Sequence, residues 1–134
     1  MSSRKPSRAA RAARLRSSPL TGRDILEIAC GTADFSLAAA ETARGVTAID
    51  LDDCRLSPAA RSTDGVRFQR MDAAALTFPD GSFDTAVLYN ALGHLTAILP
   101  EVLSEALRVL RPGGTLLICT SFSLDKTAME EHFL

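Results

Sequence analysis

The side chains able to do chemistry in this 134-residue chain fall into four short stretches. The first, residues 24–36, reads DILEIACGTADFS. Ile25, Leu26 and Ile28 make a short apolar strand, Ala29, Cys30, Gly31, Thr32 and Ala33 make a turn of small residues, and Asp34 opens a helix. A strand, a tight turn and a helix leave bare backbone against which a ligand can lie. Glu27 and Asp34 place carboxylates on either side of that turn. The second stretch is VTAID, ending at Asp50. A carboxylate at a strand end is commonly a turn residue, but one following the small-residue turn at this distance can accept both hydroxyls of a ribose. The third is Asp72, two residues beyond an alternating run at 66–70. The fourth is NALGHL, residues 90–95. It holds His94, whose imidazole suits either a general base or a structural hydrogen bond. His132 is assigned no role.

Two classes of ligand use such a first turn. A dinucleotide sets its pyrophosphate on the helix N-terminus and wants G-x-G-x-x-G. Those positions hold Ala29, Gly31 and Asp34, so two glycines are missing and a carboxylate faces the phosphate. S-adenosylmethionine brings a sulfonium, an ammonium, a carboxylate and an adenosine, and no phosphate. Acidic residues around the turn suit it. An NAD-dependent oxidoreductase is therefore disfavoured.

The elements that must position these residues alternate. A helix is expected over 33–44, with Phe35, Ala38, Ala39 and Thr42 on one face and Gly45 as its left-handed stop. Strands follow at 46–50 and 66–70, separated by a short helix limited by Pro58 and closed by Asp64-Gly65. After the turn-rich TFPDGS comes a fourth strand, FDTAVLY (83–89), then a loop at 90–95. A helix over 99–111 carries an apolar stripe of Leu103, Ala106, Leu107 and Leu110. Pro112-Gly113-Gly114 stops it before a fifth strand, TLLICT, and Asp125 is placed to cap a last short helix. Strands alternating with helices imply an α/β, doubly wound, mostly parallel sheet. In such a sheet every candidate above lies at the carboxyl ends of strands, where ligands bind.

Composition sets bounds. The length suits one domain. Residues 1–23 carry seven Lys or Arg and no acid, and the rest carry eight basic against sixteen acidic groups. Residues 1–22 are thus a basic arm and residues 23–134 the folded core. The arm reads as a disordered segment, as a remnant of a helix lying beside the ligand, or as an Arg- and Ser-rich organellar transit peptide. Three cysteines without C-x-x-C spacing give neither a disulfide framework nor a zinc site, and fit a reducing, cytoplasmic compartment. No apolar run reaches 18 residues, so no membrane span is expected.

Taken together, LEIACGTADFS, VTAIDLD, RMDAAALTFPDGSFDTAVLYNALGHL and ALRVLRPGGTLLI resemble class I S-adenosylmethionine-dependent methyltransferases of the broad type-11 group, which includes quinone-biosynthesis C-methyltransferases. The resemblance covers about 100 residues in family order and spacing. It implies a Rossmann-like core with the cofactor across the tops of strands one, two and four, and methyl transfer to a small-molecule acceptor. By the same resemblance Glu27, Ala29, Cys30 and Gly31 meet the methionine part of the cofactor. Asp50 holds the ribose, with Leu51 beside the adenine. Asp72 accepts from the adenine amino group and Ala73 donates its amide to the ring. Tyr89 and Asn90 lie under the methionine end. His94 is the one titratable candidate for a base.

The chain also departs from the pattern. Ala29 and Ala33 replace the first and third glycines of G-x-G-x-G, and the methyl of Ala33 is expected to crowd the cofactor. Signatures for nucleobase acceptors are absent after Phe83-Asp84, which argues against a nucleic-acid substrate. The family fold continues beyond a fifth strand with an antiparallel pair. The expectation is thus of a C-terminally truncated core of five strands, its last edge open to a second copy or another chain. The alternative function is a non-catalytic cofactor-binding or scaffold protein.

Overall fold

The computed structural model describes residues 18–120. The 1–22 arm, except its last residues, and the helix expected near Asp125 lie outside the described residues. The strands are β1 (Asp24–Ile28), β2 (Gly45–Asp50), β3 (Val66–Arg70), β4 (Phe83–Tyr89) and β5 (Leu110–Cys119). The helices are α1 (Asp34–Ala39), α2 (Pro58–Ser62), α3 (Leu92–Leu95) and α4 (Leu99–Val109), with a 3-10 turn at Thr96–Ile98 between the last two. The sheet order is β3-β2-β1-β4-β5. All four strand pairings are parallel. The doubly wound α/β core expected from the alternation is the one observed, with β5 at one edge of the described sheet.

Period-two alternation explains why the sheet is covered on both faces. Leu26, Ile28, Ala86 and Leu88 point to one face and pack with Val102, Ala106 and Val109 of α4. Ile25, Val87, Val46 and Ala48 point to the other and pack with Ala33, Ala39 and Ala60. Burying a Leu, Ile or Val side chain stabilises by about 1.5–3 kcal/mol, so the central strands β1 and β4 anchor the domain.

Several local expectations are corrected. The helix expected over 33–44 is α1 alone, and its buried residues are Ser36 and Ala39, with Ala38 and Thr42 exposed. Gly45 is not a left-handed stop: it begins β2, opposite Asp24, and is not among the positive-φ residues. The loop expected at 90–95 contains α3. The stripe of α4 is Val102, Ala106 and Val109, and Leu107 is 61% exposed. Pro112-Gly113-Gly114 does not separate a helix from a strand. It lies inside β5, at the irregularity where the β4–β5 register shifts between Phe83 and Thr85.

Two polar clusters hold the frame. Asp24 and Asp84 share the guanidinium groups of Arg44 and Arg111 at the amino ends of β1 and β4. The Asp24 amide also donates to Asp84 at 2.8 Å. Arg108 of α4 donates to the carbonyls of Leu76 and Phe78, each at 2.9 Å, while Glu105 accepts from the Leu76 amide. The second cluster ties the segment following Asp72 to α4.

Candidate functional site

Strand order reverses between β1 and β4, since β2 and β3 extend the sheet to one side and β5 to the other. Carboxyl-end loops part at such a point and leave a crevice. Here the loops after β1, β2, β3 and β4 surround two adjoining cavities. One, of 310 Å³, is lined by Asp50, Leu51, Met71, Asp72 and Ala73. The other, of 360 Å³, is lined by Glu27, Cys30, Gly31, Phe35, Tyr89 and Asn90. Ala29, Arg55 and His94 border both. A third cavity, of 570 Å³, opens among the amino ends of the strands around Asp24, Gly45, Arg67 and Phe83. It is larger, but none of the candidate residues lines it.

The turn after β1 is built from strained backbone. Ala29, Gly31 and Ala33 have φ of 57°, 57° and 65°, and Asn90 on the facing loop has 53°. A non-glycine residue in this region costs of order 1–3 kcal/mol and persists only where its surroundings over-determine it. The surroundings here are hydrogen bonds. The Cys30 amide donates to the Ile49 carbonyl at 2.9 Å, the Ala33 amide to the Cys30 carbonyl at 2.9 Å, and the Asn90 amide to the Cys119 carbonyl at 2.7 Å. The side chain of Ala33 is fully buried in the core beneath α1 and borders neither cavity. The methyl group expected to crowd the cofactor is thus packed in the core, away from the lining of both cavities.

Asp50 acts at the join of the two strands. Its Oδ2 accepts the Gly31 amide at 2.8 Å and its Oδ1 the Leu51 amide at 2.7 Å. A carboxylate has about four acceptor sites, so each oxygen keeps a lone pair for a ligand hydroxyl while the carboxylate fixes the glycine turn. Asp72 is exposed and accepts the Ala74 amide at 2.9 Å, which aims the buried Ala73 at the same cavity. Leu51 is 68% exposed and lines the same cavity.

Glu27 is the electrostatic centre of the second cavity. It is 1% exposed, and its Oε1 accepts the Ser36 hydroxyl at 2.6 Å. Burial pushes its carboxyl up from 4.5 to about 7, against the lowering effect of the Ser36 bond, and the Asp34 and Asp50 charges add to the rise. A bound cation reverses that balance. Cys30 is buried as well, and burial followed by the Glu27 charge pushes its thiol up to about 12. It is a small apolar wall and not a nucleophile. Tyr89, 43% exposed, stacks on Phe35 with ring centroids 5.2 Å apart. His94 is an exposed residue of α3 that faces both cavities.

Thus the fold brings together every site residue read from the sequence. The sequence reading missed Phe35 as a cavity wall, having placed it on a buried helical face, and it missed Arg55 altogether. Period gives no signal for a side chain that returns over the turn from a loop. Among the described residues, no group of three or more His, Cys, Asp or Glu is placed to hold a metal ion. No helix among them is long and apolar enough to cross a membrane.

Fold and crevice define a doubly wound α/β domain with carboxylates in both of its adjoining carboxyl-end cavities. The methyltransferase domain family matches residues 25–114, and the chain belongs to that family. It is 35% identical over 108 residues to the ubiquinone/menaquinone biosynthesis C-methyltransferase UbiE of Paracoccus denitrificans, covering 75% of this chain and 43% of the relative. An S-adenosylmethionine-dependent methyltransferase from Methanosarcina mazei superposes with a TM-score of 0.63 at 32% identity, covering 71% of this chain and 51% of that one. Phosphoethanolamine N-methyltransferase 1 of Haemonchus contortus, solved with phosphoethanolamine and S-adenosylhomocysteine, gives 0.69 at 28% identity over 85% of this chain and 26% of that one. The chain spans less than half the length of the curated relatives it matches first.

Proposed function

We propose that this chain binds S-adenosylmethionine in the joined cavities and transfers its methyl group to a small-molecule acceptor. The observation that carries the proposal is the pair of carboxylates on one crevice, Asp50 beside the Gly31 turn and the buried Glu27 beyond it. Their chemistry suits the two ends of this cofactor. Asp50 has acceptor capacity left for a ribose, and Leu51 and Ala73 provide an apolar slot for a purine with Asp72 at its edge. Glu27 answers the ammonium, and the small residues Ala29, Cys30 and Gly31 let the methionine chain lie against backbone.

The cofactor, when bound, supplies a methyl carbon already activated by the sulfonium. The protein then mainly aligns an incoming nucleophile with that carbon, and positioning of this kind can contribute about 7–11 kcal/mol to a rate. Tyr89 and Phe35 form an aromatic wall at this end of the crevice. His94 is the side chain available to take a proton from an acceptor that must lose one. The match to quinone-biosynthesis C-methyltransferases favours a hydroxylated aromatic acceptor, whose ring carbon becomes nucleophilic when the phenol is deprotonated.

The test is turnover with methyl-labelled cofactor against a panel of hydroxylated aromatics, amines and thiols, with NADH binding as a control. Label in an aromatic product, falling at least tenfold in His94→Gln, supports the reading. Cofactor binding without transfer to any acceptor favours the scaffold alternative, and NADH binding in preference to S-adenosylmethionine contradicts both.

A further inference from the structure

Five carboxylates, those of Glu27, Asp34, Asp50, Asp52 and Asp72, line the crevice among apolar and aromatic side chains, with one strong cation among the described residues. Arg55 leaves the loop between β2 and α2 and turns back toward β1. Its guanidinium reaches to 3.0 Å from the point where a Cβ on Gly31 would stand. It borders both cavities, and among the described residues His94 is the only other side chain there that can carry positive charge. Among the described residues no carboxylate forms an ion pair with it, and Asp52 acts on it only from beyond ion-pair distance. Other arginines of the frame, Arg44, Arg61, Arg108 and Arg111, all have carboxylate partners within 4.0 Å. An arginine placed over the glycine turn, with no such partner among the described residues, offers a planar five-donor fork to a ligand.

The proposed cofactor has one anionic group, the carboxylate of its methionine end. Glu27 and Asp50 are wrong in sign for it, and Asp34 and Asp72 likewise. We infer that Arg55 is the group that holds this carboxylate, clamping the amino-acid end of the ligand against the Gly31 turn. The inference rests on the cofactor reading above and adds a positioning residue to it. A bidentate arginine–carboxylate contact fixes direction as well as distance. The methyl group of the bound cofactor would therefore be aimed partly by Arg55, although Arg55 itself touches no reacting atom. Lysine would keep the charge and lose the fork.

The test is a ligand series measured by calorimetry on the full chain, with Arg55→Met and Arg55→Lys. The ligands are S-adenosylmethionine, S-adenosylhomocysteine and methylthioadenosine, which lacks the amino-acid end. Arg55 is exposed, so the variants are expected to keep the wild-type melting temperature. The expected result is a loss of about tenfold for both amino-acid ligands in Arg55→Met, a smaller loss in Arg55→Lys, and methylthioadenosine affinity within twofold of wild type. Equal loss for all three ligands would place Arg55 on the adenosine and overturn the inference. So would tighter S-adenosylmethionine binding with unchanged S-adenosylhomocysteine binding, the pattern of a cation repelling the sulfonium. Unchanged affinity for all three would also overturn it. Failure of the wild-type chain to bind any ligand of the series would instead strike the cofactor reading on which the inference depends.

Discussion

Glu27→Gln separates the electrostatic reading of the site from a purely structural one. Moving a carboxyl from 4.5 to about 7 by burial corresponds to about 3 kcal/mol between its charged and neutral forms. The folded state holds this proton more tightly than the unfolded chain does. Stability from Glu27 is therefore full below pH 4.5, declines as pH rises toward 7, and beyond that the ionised buried carboxylate burdens the fold. Glutamine keeps an oxygen for the Ser36 hydroxyl and removes the titration, though its amide N–H groups need partners. Urea unfolding of the ligand-free protein at pH 5 and pH 8 should show the variant gaining on wild type by about 1–3 kcal/mol between the two conditions. Ligand binding should go the other way. A ligand ammonium favours the charged carboxylate, so below pH 7 wild-type binding releases a proton, visible as a dependence of binding heat on buffer ionisation enthalpy. Glu27→Gln should bind S-adenosylmethionine about 10–100-fold more weakly, as loss of a hydrogen bond to a charged group implies, and release no proton. A stability difference that does not change with pH, or equal proton release in both proteins, would refute the reasoning.

Three further outcomes follow from the geometry. Gly114→Ala brings a methyl to 2.9 Å from the carbonyl oxygens of Arg111 and Asp84, and should destabilise by about 1–3 kcal/mol through overpacking, read as a lower urea midpoint. Ala33→Gly relieves the left-handed backbone but loses buried contact and loosens the unfolded chain, so stability should stay within about 1 kcal/mol and cofactor affinity within twofold. Clearly tighter binding would contradict the buried placement of the Ala33 methyl. Arg108→Met removes the donor to the Leu76 and Phe78 carbonyls and should lower the urea midpoint. It should speed hydrogen exchange at Ala74, Ala75 and Leu76 and weaken binding of adenosine-containing ligands.

The sheet was legible because each strand carries its own signal. Ile25, Leu26 and Ile28, and then Ala86, Val87 and Leu88, form apolar runs bounded by turn residues, and the spacing from Gly31 to Asp50 made the first βαβ unit recognisable. The face of α4 was not legible. Val102, Ala106 and Val109 stand at the same 4-3 spacing as Leu103, Leu107 and Leu110, so periodicity offered two stripes, and only the sheet beneath selects between them. Within the site, carboxylates at strand ends could be read from position. The strain at Ala29 and Ala33 was legible as missing glycines, but the direction of the Ala33 side chain depends on how α1 leaves the turn. Arg55 escaped because it reaches the site from an irregular loop.

The central claim is that the crevice around Asp50 and Glu27 is a site for S-adenosylmethionine. Its most direct test is a calorimetric titration of the chain with that ligand, alongside Asp50→Ala and with NADH as the competing ligand class. The account predicts saturable one-site binding, at least tenfold weaker in Asp50→Ala, which loses both the ribose contact and the Gly31 anchor, and no binding of NADH. A folded protein that takes up no S-adenosylmethionine, or binds it equally well without the Asp50 carboxylate, would contradict the account.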